Sequence, residues 1–381
     1  MDEKTFSHRD EPPKDEERVG ERVTIRDVAK QAGVSVSTAS KALNERGRMT
    51  AETRDRVRQA ATQLGFTPNA LARALVSQRS FTIGLLTSDT YGRFTLPIAA
   101  GLSAAMADRG VSVFLCAVGD AQDRIDINLR AMQEKCVDGL IIAGKRIDRR
   151  VVRDLPPLGM PVIHVNAASA EGEIGFVPDD IGGARLAVEH LIRLGRRRIA
   201  HISGPTNFEA VTLREQGWRL ALDDAGLLLP GPASALPGEW SEAYGFAVGQ
   251  RFFDRPSSER PDAYFCGNDQ IARGLIDALS FGGVCVPADV AVVGYDNWEL
   301  FAAATRPPLT TVDMCLTDLG GAAGLTLLEL IDGKPVSPGV RRQPCRLVVR
   351  QSCGTGSAGY ARPQMGGKPE EERQPIGSST G

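Results

Sequence analysis

Between Ile25 and Leu64 apolar residues return every three to four positions, the period of amphipathic helices. Ile25, Val28, Ala29 and Ala32 make one face, Thr24 stands at the N-cap with Asp27 three residues on, and Gly33 breaks the run. A second short helix opens at Ser35 and repeats Ala39, Ala42 and Leu43 at helical spacing. A third runs from about Ala51 to Leu64, capped by Thr50 and stopped at Gly65. After Thr82 the pattern changes to short β-branched runs separated by helical stretches. The expected strands are Thr82–Leu86, Val111–Cys116, Gly139–Ala143, Val162–Val165, Ile199–Ile202, Ala263–Cys266 and Val290–Val293. Strands alternating with helices require crossover connections, hence parallel sheet, either as one sheet or as two smaller lobes.

The flanks lack this patterning. Residues 1–21 mix Asp, Glu, Lys, Arg and Pro without apolar periodicity, and residues 354–381 turn to Gly, Ser, Pro, Gln and Glu. Both are expected to be a disordered arm and a disordered tail. Residues 22–67, 68–80 and 81–353 then divide into a small helical unit, a linker and a large α/β body.

Charge sharpens that division. The whole chain carries a net charge of −2, but from Arg22 to Arg79 eleven Lys and Arg face four Asp and Glu, a local +7. A positive module on a negative body suits a protein that neutralises phosphates at one end. Seven cysteines without a C-x-x-C pair read as reduced thiols. The N-terminus lacks the basic and apolar pattern of a secretory signal, and no run of about 18 apolar residues occurs, so a cytoplasmic protein is expected.

Two short helices joined through Gly33 fit a helix-turn-helix whose second helix enters a DNA major groove and exposes Val36, Ser37, Ser40 and Lys41. Lysine can donate to guanine, serine to a base or phosphate, and valine can touch a thymine methyl. The same spacing fits a plain three-helix bundle with a solvated basic face. Leu71 and Leu75, one turn apart after Pro68, fit either a wedge between base steps of the minor groove or an apolar tether.

In the body, polar residues fall beyond the carboxyl ends of the expected strands, where parallel sheets bind ligands: Asp89, Asn166, Asp180, Asn268-Asp269 and Asp296-Asn297, with Arg214 in a later segment. Carboxylates, amides and an arginine suit a hydroxyl-rich ligand. Each residue alone also fits a loop or cap, and N-capping accounts for at least one of Asp179 and Asp180. Trp218 reads as core. The four histidines show no metal-ligand spacing, and no cofactor is expected. Gly354-Thr355-Gly356-Ser357-Ala358-Gly359 matches G-x-G-x-x-G, yet no helix follows it.

Val23-Thr24-Ile25-Arg26-Asp27-Val28-Ala29, Ala32-Gly33-Val34-Ser35, Thr38-Ala39-Ser40-Lys41-Ala42-Leu43-Asn44 and Phe66-Thr67-Pro68-Asn69 together resemble the LacI/GalR family of bacterial repressors. The resemblance runs from about residue 22 to 353. It implies an all-α helix-turn-helix headpiece followed by an α/β two-lobed, periplasmic-binding-protein-like sensor domain with parallel sheets. It implies a homodimer on a palindromic double-stranded DNA operator, contacted by Thr24, Ser35, Val36, Ser37, Thr38, Ser40, Lys41 and Asn44. A hinge helix over Asn69–Val76 would add Asn69, Ala72, Arg73 and Leu75. It also implies an effector, a sugar, sugar derivative or nucleoside, held by Arg214, Asn268 and Asp296, with Asp89, Phe94 and Asp180. Two departures stand out. Ala39-Ser40-Lys41 replaces the family's usual Val-Ser-Arg, and Asp89-Thr90-Tyr91-Gly92-Arg93-Phe94-Thr95 replaces Asn-Pro-Phe-Phe on one pocket wall. No enzyme chemistry is expected.

Overall fold

The computed structural model describes residues 23–44, 47–67, 79–119, 121–227 and 235–354. The chain divides into two compact units, Met1–Ser80 and Phe81–Gly381. The expected arm, most of the linker and nearly all of the tail lie outside the described residues.

The small unit holds α1 (Ile25–Ala32), α2 (Val36–Leu43) and α3 (Ala51–Gln63). Thr24 donates to the Asp27 carboxylate through both its amide, at 2.8 Å, and its hydroxyl, at 2.7 Å. Gly33 takes φ +62°, a left-handed turn that a side chain would resist, and so redirects the chain into α2. Ser35 and Thr50 cap the next two helices by accepting from the amides of Thr38 and Thr53. The core is built from small side chains: Val28, Ala29, Ala32, Ala39, Ala42, Val57, Ala60 and Ala61 are buried, and Leu43, Leu64 and Phe66 pack around them. Such a core lets short helices approach closely. Arg56 Nε ties α3 to α1 by donating to the Ala32 carbonyl at 3.0 Å.

The large unit is two six-stranded sheets. The first lobe contains β1 (Thr82–Thr87), α4 (Thr95–Ala107), β2 (Ser112–Ala117), α5 (Gln122–Glu134), β3 (Gly139–Arg146), β4 (Val162–Ala167) and β5 (Ile174–Pro178). The second contains α6 (Asp180–Arg193), β6 (Ile199–Ile202), α7 (Glu209–Asp224), β7 (Ala235–Leu236), α8 (Glu242–Gln250), β8 (Ala263–Cys266), α9 (Asp269–Phe281), β9 (Ala291–Asp296), α10 (Glu299–Ala302) and β10 (Thr310–Asp313). The chain then returns through α11 (Leu316–Ile331) and β11 (Gly339–Gln343) to the first sheet, and ends in β12 (Arg346–Val348) on the second. Sheet orders are β11-β5-β4-β3-β1-β2 and β12-β10-β9-β8-β6-β7, and every pairing is parallel except β10 with β12.

Three backbone crossovers therefore join the lobes, at residues 178–180, 313–316 and 343–346. The Asp179 amide donates to the Gln343 carbonyl at 2.8 Å, fastening the first crossover to the third. Of the seven expected strands, Ile199–Ile202 and Ala263–Cys266 match residue for residue, and the other five start or end one to three residues away. Trp218 is fully buried, its indole N–H donating to the Ile199 carbonyl at 3.1 Å.

Candidate functional site

Sheet geometry makes the main site. Parallel strands end on the same side, and where two such sheets face each other their carboxyl-end loops enclose a cleft. Here that cleft holds a cavity of about 270 Å³. Of the expected effector residues, Phe94, Asp180, Arg214, Asn268 and Asp296 line it together.

Arg214 sits in the second turn of α7 and is 5% exposed. Its Nε donates to Asp180 Oδ1 at 2.7 Å, its Nη1 to the Gly267 carbonyl at 2.6 Å, and Asp296 Oδ1 lies 3.8 Å from Nη1. Its guanidinium also covers the Tyr295 ring at 3.7 Å. Burial by itself would lower the Arg214 pKa, but the Asp180 carboxylate holds it above the ordinary value. Asp180 opens α6 directly after the first crossover; Asp179 has taken the capping role by accepting from the Gly182 amide at 3.0 Å. Asp180 Oδ2 is buried without a partner among the described residues. Asn268 caps α9 through Oδ1, at 2.8 Å from the Ile271 amide.

Asp89 behaves differently. Its two oxygens accept from the amides of Tyr91, Gly92, Phe94 and Thr95 at 2.7–3.2 Å, and it is absent from the cavity lining. A carboxylate occupied by four backbone donors organises the turn into α4. Of the expected effector residues, Asp89 is the one that the structure places on this turn and not with the others on the cavity lining.

Sequence reasoning left out several lining residues. Arg93, in the divergent wall segment, donates to Gln270 Oε1 at 3.2 Å and to Asp296 Oδ2, and lies near the Trp298 ring. Arg146, at the end of β3, forks onto Asp148 and reaches the Asn207 carbonyl at 2.6 Å while covering the Phe208 ring at 3.6 Å. Both arginines start in the first lobe and end on the second. Burial lowers the Arg93 pKa to about 10, with Asp269 opposing the drop and Arg214 adding to it. Asn166, named as a strand-end polar residue, lines the cavity and holds the Gly144 carbonyl through Nδ2. It and Asp296 take φ of 50° and 105°, backbone strain concentrated at the cavity.

Trp240 supplies an aromatic wall. Its ring occupies a slot opened by two glycines: a Cβ at Gly204 would lie 2.2 Å from it, and one at Gly267 2.9 Å. Its position at a strand end is the signal that could have found Arg146; the two-residue strand before Trp240 offers none. Behind the lining, Asp269 is fully buried, accepting from the Thr311 hydroxyl and the Trp298 amide, and burial pushes its carboxyl up to about 7.

On the small unit, Val36, Ser37 and Lys41 are exposed and Ser40 is half-buried, all on one helical face. Ser35 and Thr38 bond to each other at the start of α2, and the Asn44 amide closes its end on the Ser40 carbonyl at 2.8 Å. Thr24 likewise caps α1. Helix N-termini of this kind present unpaired backbone N–H groups that suit phosphate. Asn69, Ala72, Arg73 and Leu75 lie outside the described residues.

Known proteins bring the two units together. A model described as bacterial regulatory proteins, lacI family, matches residues 24–69, and one described as a periplasmic binding protein-like domain matches residues 188–353. The ribose operon repressor of Escherichia coli (strain K12) is 33% identical over 312 residues, covering 81% of this chain and 93% of its own. The HTH-type transcriptional repressor CytR of the same strain is 32% identical over 336 residues, covering 86% and 96%. Among solved structures, the Lac repressor dimer bound to operator and the anti-inducer ONPF matches with TM-score 0.66 and 29% identity, over 87% of this chain and 99% of that one. The transcriptional regulator CelR in complex with cellobiose matches with TM-score 0.59 and 29% identity, over 87% and 100%.

Proposed function

The chain belongs to the lacI family of bacterial regulatory proteins, and from that premise we propose how its two units divide the work of a ligand-responsive repressor. The chain is a DNA-binding transcriptional regulator with a helix-turn-helix headpiece and a two-lobed sensor. It acts as a homodimer on a palindromic operator in the cytoplasm. The α2 helix enters the major groove, where Val36, Ser37, Ser40 and Lys41 read base edges, while Thr24, Ser35, Thr38 and Asn44 set the register on phosphates. Asn69, Ala72, Arg73 and Leu75 follow on a hinge helix in the minor groove, with Leu75 opening a base step.

The effector, a sugar, sugar derivative or nucleoside, occupies the sensor cavity. One observation carries this reading: Asp180, Arg214, Asn268 and Asp296, spread over more than a hundred residues of sequence, converge on one cavity beside the crossovers. A ligand bridging Asp296 and Arg214 on the second lobe and Phe94 on the first favours one lobe arrangement over another, and that preference shifts operator affinity.

Footprinting of the full-length protein on genomic DNA, at several salt concentrations and with a panel of candidate effectors, tests the whole. A palindromic site whose affinity falls steeply with salt and changes with one ligand class is expected. Salt-independent binding, or binding that no panel member alters, contradicts the reading.

A further inference from the structure

We propose that Arg93 is a tethered occupant of the effector site: its guanidinium, carried on the first lobe, fills a seat for a planar cation on the second and clasps the two lobes together without any ligand. The inference rests on the cavity being the effector site. The seat is made of Asp296, which accepts from Nη2, of Gln270 Oε1, which accepts from Nη1 at 3.2 Å, and of the Trp298 ring, whose centroid lies 5.1 Å from the guanidinium carbon. All three belong to the second lobe, whereas Arg93 follows β1 of the first. Little water reaches the pair, the side chains of Arg93 and Asp296 being 17% and 7% exposed. Trp298 stacks in turn on Phe301 at 4.3 Å, so the ring that receives the cation is itself held in place.

The first lobe presents this side chain on a prepared turn. Asp89 gathers the amides of Tyr91, Gly92, Phe94 and Thr95, and Gly92 takes φ +78°, so the backbone on both sides of Arg93 is fixed before its side chain reaches across. Burial lowers the Arg93 pKa to about 10, Asp269 and Asp89 oppose the drop and Arg214 adds to it, which leaves the guanidinium charged at neutral pH. Arg146 makes a second tie of the same build: Nη2 donates to the Asn207 carbonyl at 2.6 Å, and the guanidinium covers the Phe208 ring at 3.6 Å, both on the second lobe. A ligand hydroxyl that takes Asp296 Oδ2 must displace a charged donor with a neutral one, and the apparent affinity of such a ligand falls by the fraction of time that the clasp is closed. Arg93 is thereby a specificity-determining residue, since a ligand that opens the clasp must offer this seat more than a single hydroxyl.

The test is acrylamide quenching of tryptophan emission in the extensively dialysed full-length protein, with no effector added. Trp240 on the cavity wall and Trp298 under Arg93 are half-buried, while Trp218, the third tryptophan, is fully buried and supplies a constant background. Arg93→Ala should raise the quenching constant about twofold or more as the lobes part. Millimolar methylguanidinium, which replaces the lost group, should return that constant to the wild-type value and leave wild type unchanged. Arg93→Lys keeps the charge without the planar fork; it should also raise the constant, and methylguanidinium should not reverse the rise, because the lysine stem fills the seat. Wild-type quenching in both variants would overturn the clasp, and a rise in natively folded Arg93→Ala that methylguanidinium leaves in place would overturn the guanidinium seat. Should Arg93→Ala lose its native circular dichroism, Arg93→Lys decides alone, raised quenching supporting the clasp and wild-type quenching overturning it. No effector enters this measurement, so its failure leaves the effector reading intact, and that reading fails separately on the footprinting panel.

Discussion

Arg214 Nε donates to Asp180 Oδ1 at 2.7 Å, and the two side chains, on different helices of the second lobe, are 6% and 1% exposed. Removing one partner strands the other. Arg214→Ala should cost about 3–5 kcal/mol in urea unfolding. Adding Asp180→Ala should cost less than the sum of the single losses. Additive losses would mean that the ion pair does not couple the helices.

Trp240 depends on the missing side chains of Gly204 and Gly267. Gly204→Ala places a methyl 2.2 Å from the indole, so the ring must leave its slot. The expected result is a shifted tryptophan emission and loss of effector-induced thermal stabilisation, with far-UV circular dichroism preserved. Retained stabilisation would remove Trp240 from the ligand wall.

The raised carboxyl of Asp269 makes a signed prediction. Its folded pKa of about 7 lies above the ordinary aspartate value of 3.8, so between those values the native state binds the proton more readily than the unfolded chain. This group's contribution therefore strengthens as pH falls through 7 and weakens as pH rises. In Tm measurements across that window, wild type should gain on acidification relative to Asp269→Asn. Parallel curves for the two proteins would refute the shift.

Lys41 ends the exposed face of α2 where the family usually carries arginine. Lys41→Ala should lower specific operator affinity roughly tenfold and reduce the salt slope, and Lys41→Arg should restore affinity or change the preferred base. Operator binding unchanged by both substitutions would place Lys41 outside the interface.

Where local signals and tertiary structure agreed, the sequence was readable. Thr24, Ser35 and Thr50 cap their helices as their spacing implies, and apolar runs such as Ala263–Cys266 are interior strands. Ile174–Pro178 and Thr310–Asp313 escaped because glycine, proline and threonines blur the apolar pattern. Gly339–Gln343 is an edge strand whose inner positions are Arg341, over the Phe176 ring, and Gln343, leaving no apolar face to read. In the site, strand-end position located Asp180, Asn268 and Asp296. It does not separate Asp89 from these, since a carboxylate after a strand serves an adjacent turn as readily as a ligand. Arg93 was hidden for the opposite reason: its partners Gln270 and Asp296 are remote in sequence, and only the facing of two sheets brings them together.

The three crossovers also set an order of assembly. A ribosome releases the headpiece first, complete in itself, and then most of the first lobe, but that lobe's α11 and β11 come only after β10 of the second. The second lobe waits in turn for β12, among the last described residues. Neither lobe can be excised as a continuous fragment, and a chain cut before Leu316 would leave a DNA-reading unit attached to two unfinished sheets.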